Sequence, residues 1–193
     1  MHPSGREINA EIIEGCRRGD RNAVRVIYDL YKDKVYSIAL FFFHGDVSTA
    51  SDVTQQVFLK LLTESGHFRG DSAFSTWLYR VVLNTCIDVA RTRRHGGLQI
   101  ERSVVEGVAA KGSNEDDLVK RQIANSIQTA ISTLPQKFKL AILLRYFDDL
   151  SYEEMAKVLN CSIGTVASRL SRGHRMLAGK LEPMRESLAK GKP

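Results

Sequence analysis

The segment Thr165-Val166-Ala167-Ser168-Arg169-Leu170-Ser171-Arg172-Gly173-His174-Arg175 mixes hydroxyls and guanidinium groups with small and aliphatic residues, and no Asp or Glu lies between Cys161 and Leu181. At helical spacing Ser168, Ser171, Arg172 and Arg175 share one face, with Thr165 and Arg169 on its flanks. Hydroxyls near a helix N-terminus suit phosphate oxygens. Guanidinium forks further along suit phosphates or guanine edges. This is the chemistry of reading a duplex groove; the plainer alternative is a solvated basic face.

A second set lies upstream, in Phe68 to Arg91. Its polar side collects Arg80, Asn84, Asp88 and Arg91, with Trp77 at the border of an apolar stripe. Bases of a single strand can stack on an aromatic ring while arginine follows the backbone. A tryptophan in that place also serves a core.

No catalytic set accompanies these residues. The histidines, at 2, 44, 67, 95 and 174, have no HxxxH or HExxH spacing, and Gly96-Gly97 lacks the lysine of a phosphate loop. Of the acidic doublets that a two-metal site would need, Asp116-Asp117 falls in a linker-like stretch and Glu153-Glu154 in a helix cap. Cys16, Cys86 and Cys161 are far apart, with neither disulfide nor zinc spacing. The expectation is a protein that is not an enzyme, with no metal and no cofactor, in a reducing compartment. Cys161, in a turn, packs as a small apolar side chain, with a redox sensor as the sharper alternative.

The elements that would position these groups are helical. Ser151-Tyr152-Glu153-Glu154 has the form of a capping box, the helix it opens stops at Asn160-Cys161, and Ser162 offers a second N-cap. Two helices separated by such a turn form a helix-turn-helix. Ile163, Val166, Leu170 and Leu177 are expected to pack against Met155, Ala156 and Leu159. Gly173 inside the second helix runs against the pattern, at about 1 kcal/mol relative to alanine.

Elsewhere three amphipathic stripes follow one another: Ala23, Ile27, Leu30, Ile38 and Phe42; Val53, Val57, Phe58, Leu61 and Leu62; then Phe74, Leu78, Val81, Val82, Thr85 and Val89. From 94 to 117 the pattern fails among glycines and a polar run, which reads as a linker. Helical spacing resumes with Ile123, Ile127, Ala130, Ile131 and Leu134, and Pro135 opens another helix. The fold class is therefore all-α, with two small helical bundles joined by a flexible linker. The boundaries are an N-terminal segment 1–20, a first bundle 21–93, the linker 94–117, a second bundle 118–184 with the helix-turn-helix, and a basic tail 185–193. Lys and Arg outnumber Asp and Glu by 28 to 22, for a formal charge of +6, so polyanions are attracted. No apolar run is long enough to span a bilayer, and a cytoplasmic protein without membrane insertion is expected.

Phe68 to Arg91, taken with Leu150 to Leu177, resembles the bacterial RNA polymerase sigma factors, in the extracytoplasmic-function group. The resemblance covers roughly 21 to 181. Ala50 to Leu61 is similar to the helix that binds the polymerase clamp, Phe68 to Arg91 to the -10 reader and Leu150 to Leu177 to the -35 reader. It implies that Asp52, Gln55, Gln56 and Phe58 face core RNA polymerase. It implies a -10 surface of Trp77, Arg80 and Asn84, with Phe68, Arg69 and Asp71 in the adjoining loop, and Thr165, Ser168, Arg169 and Arg172 on the -35 helix, where Ser171 and Arg175 share the exposed face. Ser51 and Gln56 stand where the family commonly has acids, Ala167 where it has arginine, and Gly173 where it has alanine. The implied function is a dissociable initiation subunit whose partners are core RNA polymerase, promoter DNA and an anti-sigma factor. A self-sufficient helix-turn-helix regulator, binding duplex DNA as a dimer, is the alternative.

Overall fold

The computed structural model describes residues 8–68, 73–95 and 115–190. The described residues form α1 (Ala10–Arg17), α2 (Arg21–Phe42), α3 (Val47–Glu64), a 3-10 turn (Ser65–His67), α4 (Phe74–His95), α5 (Glu115–Ser132), α6 (Gln136–Asp148), α7 (Tyr152–Leu159) and α8 (Ile163–Lys190), with no strand among them.

Local chemistry sets most of these boundaries. Asp20 caps α2 by accepting the Asn22 amide at 2.8 Å, and Asp46 caps α3 by accepting the Thr49 amide at 2.9 Å and hydroxyl at 2.6 Å. Between them α2 ends in a left-handed residue, His44 (φ 61°), and the Gly45 amide reaches back to the Leu40 carbonyl at 2.8 Å. That closes the helix as a Schellman-type turn does.

Three boundaries differ from the sequence expectation. α1 packs on α2 and on the 3-10 turn, and the Ser65 hydroxyl donates to the Cys16 carbonyl at 3.0 Å, so this part of the N-terminal segment belongs to the first bundle. Glu115 to Asp117, expected in the linker, form the first turn of α5. α8 runs through Pro183 to Lys190, so most of the expected basic tail is helix.

The stripes pack largely as expected. Ile27, Ile38, Val53, Val57, Leu61, Leu78 and Val82 are fully buried in the first half, and Ile142, Leu143, Leu144, Met155 and Leu170 are nearly so in the second. Leu62, placed on the second stripe, is 46% exposed. Gly173 is explained by packing: a Cβ there would stand 3.1 Å from Ile142 Cγ1 and 3.3 Å from its Cδ1. The missing side chain lets α6 and α8 cross closely.

The two halves do not stand apart. α2 packs on α5 and α6, and α4 on α7. Phe41 meets Phe147 with centroids 5.0 Å apart, and the buried Lys139 of α6 donates to the Phe42 carbonyl at 3.3 Å.

Candidate nucleic-acid interface

In the second half the capping box is complete. The Ser151 amide donates to Glu154 Oε2 at 2.7 Å and the Glu154 amide to Ser151 Oγ at 3.1 Å. α7 ends at left-handed Asn160 (φ 47°), and the Cys161 amide closes back on the Ala156 carbonyl at 3.0 Å. Ser162 then caps α8 through the Thr165 amide at 3.2 Å. Met155, Val158, Val166 and Leu170 are buried between the helices. Ile163, expected among them, is 47% exposed: the buried apolar register of α8 starts at Val166.

On the outer side of α8, Ser168, Ser171, Arg172 and Arg175 are exposed, while Thr165 and Arg169 are half-buried. Two of the hydroxyls are engaged locally: Thr165 Oγ1 lies 2.9 Å from Ser162 Oγ, and Ser168 donates to the Thr165 carbonyl at 3.0 Å. Arg169 turns toward the turn, its Nη1 3.8 Å from Cys161 Sγ. Ser171, Arg172 and Arg175 therefore present the outermost hydroxyl and cations. His174 Nε2 and the Tyr146 hydroxyl, both on exposed residues, are 3.0 Å apart, tying α8 to α6.

In the first half an aromatic cluster carries the upstream set. Phe68, Phe74 and Trp77 have ring centroids 5.5 to 5.8 Å apart. Phe68, expected beside the contact surface, is only 6% exposed and packs against the indole. Trp77 is half-buried and Asn84 exposed. Arg69 and Asp71 lie outside the described residues. Arg80 is already occupied, its Nε and Nη2 donating to the Lys157 carbonyl of α7 at 2.9 and 2.6 Å. Beside it a cleft of about 540 Å³ between the halves is lined by Asn84, Ile87, Leu140, Leu159 and Arg169, among others. In this closed arrangement the two candidate surfaces border one cleft.

A third surface lies between α2 and α3. Asp52, Gln55 and Gln56 are exposed, but Phe58 is 6% exposed, beneath an edge-on contact with Tyr28 at 4.8 Å. Phe58 nonetheless reaches the floor of the groove between these helices. The accessible apolar groups here are Tyr28, Leu59 and Leu62, which line a groove of about 600 Å³ with Asp52 and Gln55. Sequence reasoning missed Tyr28 because it lies on the neighbouring helix; its signal is an aromatic one position past the buried Ile27.

Cys16 and Cys86 do not resemble reactive thiolates. Burial pushes the Cys86 thiol up to about 12, and burial also raises Cys16, against a smaller opposing hydrogen bond with Ser65. Among the described residues no His, Cys, Asp and Glu cluster could hold a metal ion, and no helix is long and apolar enough to cross a membrane.

Two families match the chain, Sigma-70 region 2 over residues 27–96 and Sigma-70, region 4 over residues 124–177. The RNA polymerase sigma-H factor of Pseudomonas aeruginosa is 35% identical, with 92% of this chain and 96% of that protein covered. The ECF RNA polymerase sigma factor SigW of Bacillus subtilis is 33% identical over 89% and 96%, and the ECF RNA polymerase sigma-E factor of Escherichia coli 34% over 90% and 94%. Among solved structures, CnrH in complex with the cytosolic domain of CnrY superposes with a TM-score of 0.68 at 20% identity, covering 91% and 98% of the two chains. The sigma factor RpoE in complex with the anti-sigma factor NepR, from Bartonella quintana, gives 0.67 at 24% identity over 82% and 96%. At these identities the likeness is one of fold.

Proposed function

The chain belongs to the sigma-70 family, in its extracytoplasmic-function group, and from that premise we propose that its two halves divide promoter recognition while core RNA polymerase does the chemistry. The protein is a sigma factor that directs promoter-specific transcription. The half built on α1–α4 binds polymerase through Tyr28, Asp52, Gln55, Gln56, Leu59 and Leu62. It takes the melted -10 strand over Trp77, Arg80 and Asn84, and Arg69 and Asp71 also contribute to that contact. The half built on α5–α8 places Ser171, Arg172 and Arg175, with Thr165, Ser168 and Arg169 inward of them, in the -35 groove. The protein itself is not an enzyme and works in the cytoplasm, where its polymerase is.

The observation that carries this reading is the exposed, acid-free face of α8 behind two complete N-caps, in one chain with an aromatic and arginine surface. Energetics favour the division of labour. Duplex stacking is about 1.4 kcal/mol per step, so opening some ten steps needs on the order of 10 kcal/mol, whereas each base stacked on a ring returns about 1 to 3 kcal/mol. A larger partner must sustain the opening. Arg80 must also leave the Lys157 carbonyl before it can follow a strand, so promoter reading requires the halves to part.

An anti-sigma factor that keeps the halves closed fits this arrangement, and the structural relatives include one sigma factor described in complex with an anti-sigma factor. The test is to mix the purified chain with core polymerase and promoter DNA and follow transcription. Polymerase-dependent initiation at defined start sites is expected. Tight duplex binding by the chain alone, with no initiation alongside polymerase, would overturn the proposal in favour of a self-sufficient regulator.

A further inference from the structure

The closed arrangement is fastened by cations that reach across it to helix ends. Lys157 is in the last turn of α7, and Arg80 of α4 donates both of its bonds to that carbonyl. Phe42 is the last residue of α2, and Lys139 of α6 donates to its carbonyl. The last carbonyls of a helix lack partners inside it and carry its negative dipole end, so a lysine or arginine beside them is favoured. Each half thus caps a helix of the other.

The two pins differ in surroundings. Arg80 is exposed. Lys139 is 6% exposed, with its Nζ 5.2 Å from the Phe42 ring centroid. No salt bridge to Lys139 is formed by the described charged side chains on the elements around it, several of which are engaged with other groups or exposed. On α2, Lys34 lies over Tyr31, and Asp33 and Tyr36 line the α2–α3 groove. After α2, Asp46 is held by Thr49 and Arg93, and His44 makes interactions of its own. On α6, Lys137 covers Phe138 and Arg145 donates to the Leu150 carbonyl. On α7, Glu154 closes the capping box, Glu153 is exposed, and the Lys157 side chain is exposed. On α8, Arg169 faces Cys161, His174 meets Tyr146, and Arg172 and Arg175 are exposed. α5 carries no charge from Gln128 to Ser132, where it leads toward α6.

We propose that Lys139 is a proton-responsive pin between the two halves, holding them together more tightly once its ammonium has passed its proton to solvent. The neutral amine still donates to the Phe42 carbonyl; it gives up the charge's attraction to the helix end and the Phe42 ring, but burial outweighs these because a charge no longer has to stay out of water. Burial lowers the docked lysine from 10.5 to about 8, while a lysine freed by parting of the halves returns to the ordinary value. Docking therefore releases a proton, so it strengthens as pH rises between those two values and is flat below and above them. Between about pH 7 and about pH 9 the docking equilibrium shifts roughly tenfold toward the closed form.

The test needs neither polymerase nor DNA, so it stands apart from the functional reading. Dyes at exposed Arg25 of α2 and Lys180 of α8, introduced as unnatural amino acids in the full chain, report closed and open dwell times by single-molecule energy transfer. The native chain is expected to show the tenfold change. Lys139→Met, always neutral, should dock more tightly than the native chain at pH 7, and Lys139→Arg, always charged, more loosely at pH 9. Both should lose the pH response while keeping native helicity, and His44→Asn should keep it. A native chain whose dwell ratio is flat over this range, or a Met or Arg variant that retains the slope, overturns the proposal, as does a slope that vanishes in His44→Asn.

Discussion

Replacing Gly173 by alanine sets two effects against each other. Alanine gains about 1 kcal/mol over glycine within a helix. Against that, the new Cβ would lie 3.1 and 3.3 Å from Ile142 Cγ1 and Cδ1 and 3.6 Å from Phe138 Cβ, and Ile142, at 2% exposure, has no free space to yield. Overpacking of this kind costs about 1 to 3 kcal/mol, so we expect a net loss of about 1 kcal/mol. Gly179, on the same helix, is the control: its Cβ would meet nothing within 4 Å, so Gly179→Ala should stabilise by up to about 1 kcal/mol. Urea unfolding of the two variants should then give stabilities that differ by roughly 2 kcal/mol, with midpoints about 1 M apart. The same substitution would act with opposite signs on one helix. If both alanines stabilise alike, the close crossing of α6 and α8 is not what selects glycine, and the packing argument fails.

Arg172→Ala should weaken -35 engagement by about 1 to 3 kcal/mol at one base position if it forks onto a guanine edge; a uniform loss over all sequences, with a shallower salt dependence, assigns it to phosphate instead. Asn84→Ala should reduce open-complex formation more than polymerase binding, and equal losses in the two assays would contradict its -10 role. Burial pushes the Asp46 carboxyl up, but the Thr49 hydroxyl and amide and the Arg93 guanidinium outweigh it and hold it below its ordinary value. Asp46 thus adds stability that is full above the unfolded carboxylate range and lost as pH falls through the folded value, so Asp46→Asn should flatten part of the acid limb in pH-dependent thermal unfolding.

The helices and both caps of the helix-turn-helix were legible because each rests on residues adjacent in sequence: Ser151 with Glu154, Ser162 with Thr165. The outer face of α8 followed from the same periodicity. Docking of the halves was not legible, since it rests on pairs far apart in sequence, Arg80 with Lys157 and Lys139 with Phe42, and a carbonyl acceptor carries no residue type to read. The depth of Phe58 and Phe68 was not legible for a related reason: periodicity puts an aromatic at an interface, but only a third body, Tyr28 for one and Trp77 for the other, decides which ring is on top. Gly173 looked like a defect because propensity is local and its cause, Ile142, lies on another helix.

The aromatic cluster gives the molecule an optical property. Trp77 is the sole tryptophan in the chain, and it sits half-buried on Phe68 and Phe74 at the proposed strand-binding surface. Indole emission from the free protein therefore arises at one place. A nucleobase stacked on that ring would quench it, and a change of solvent around it would shift its colour. Strand capture would thus write its own fluorescence record, without a label, at the residue on which the captured base rests.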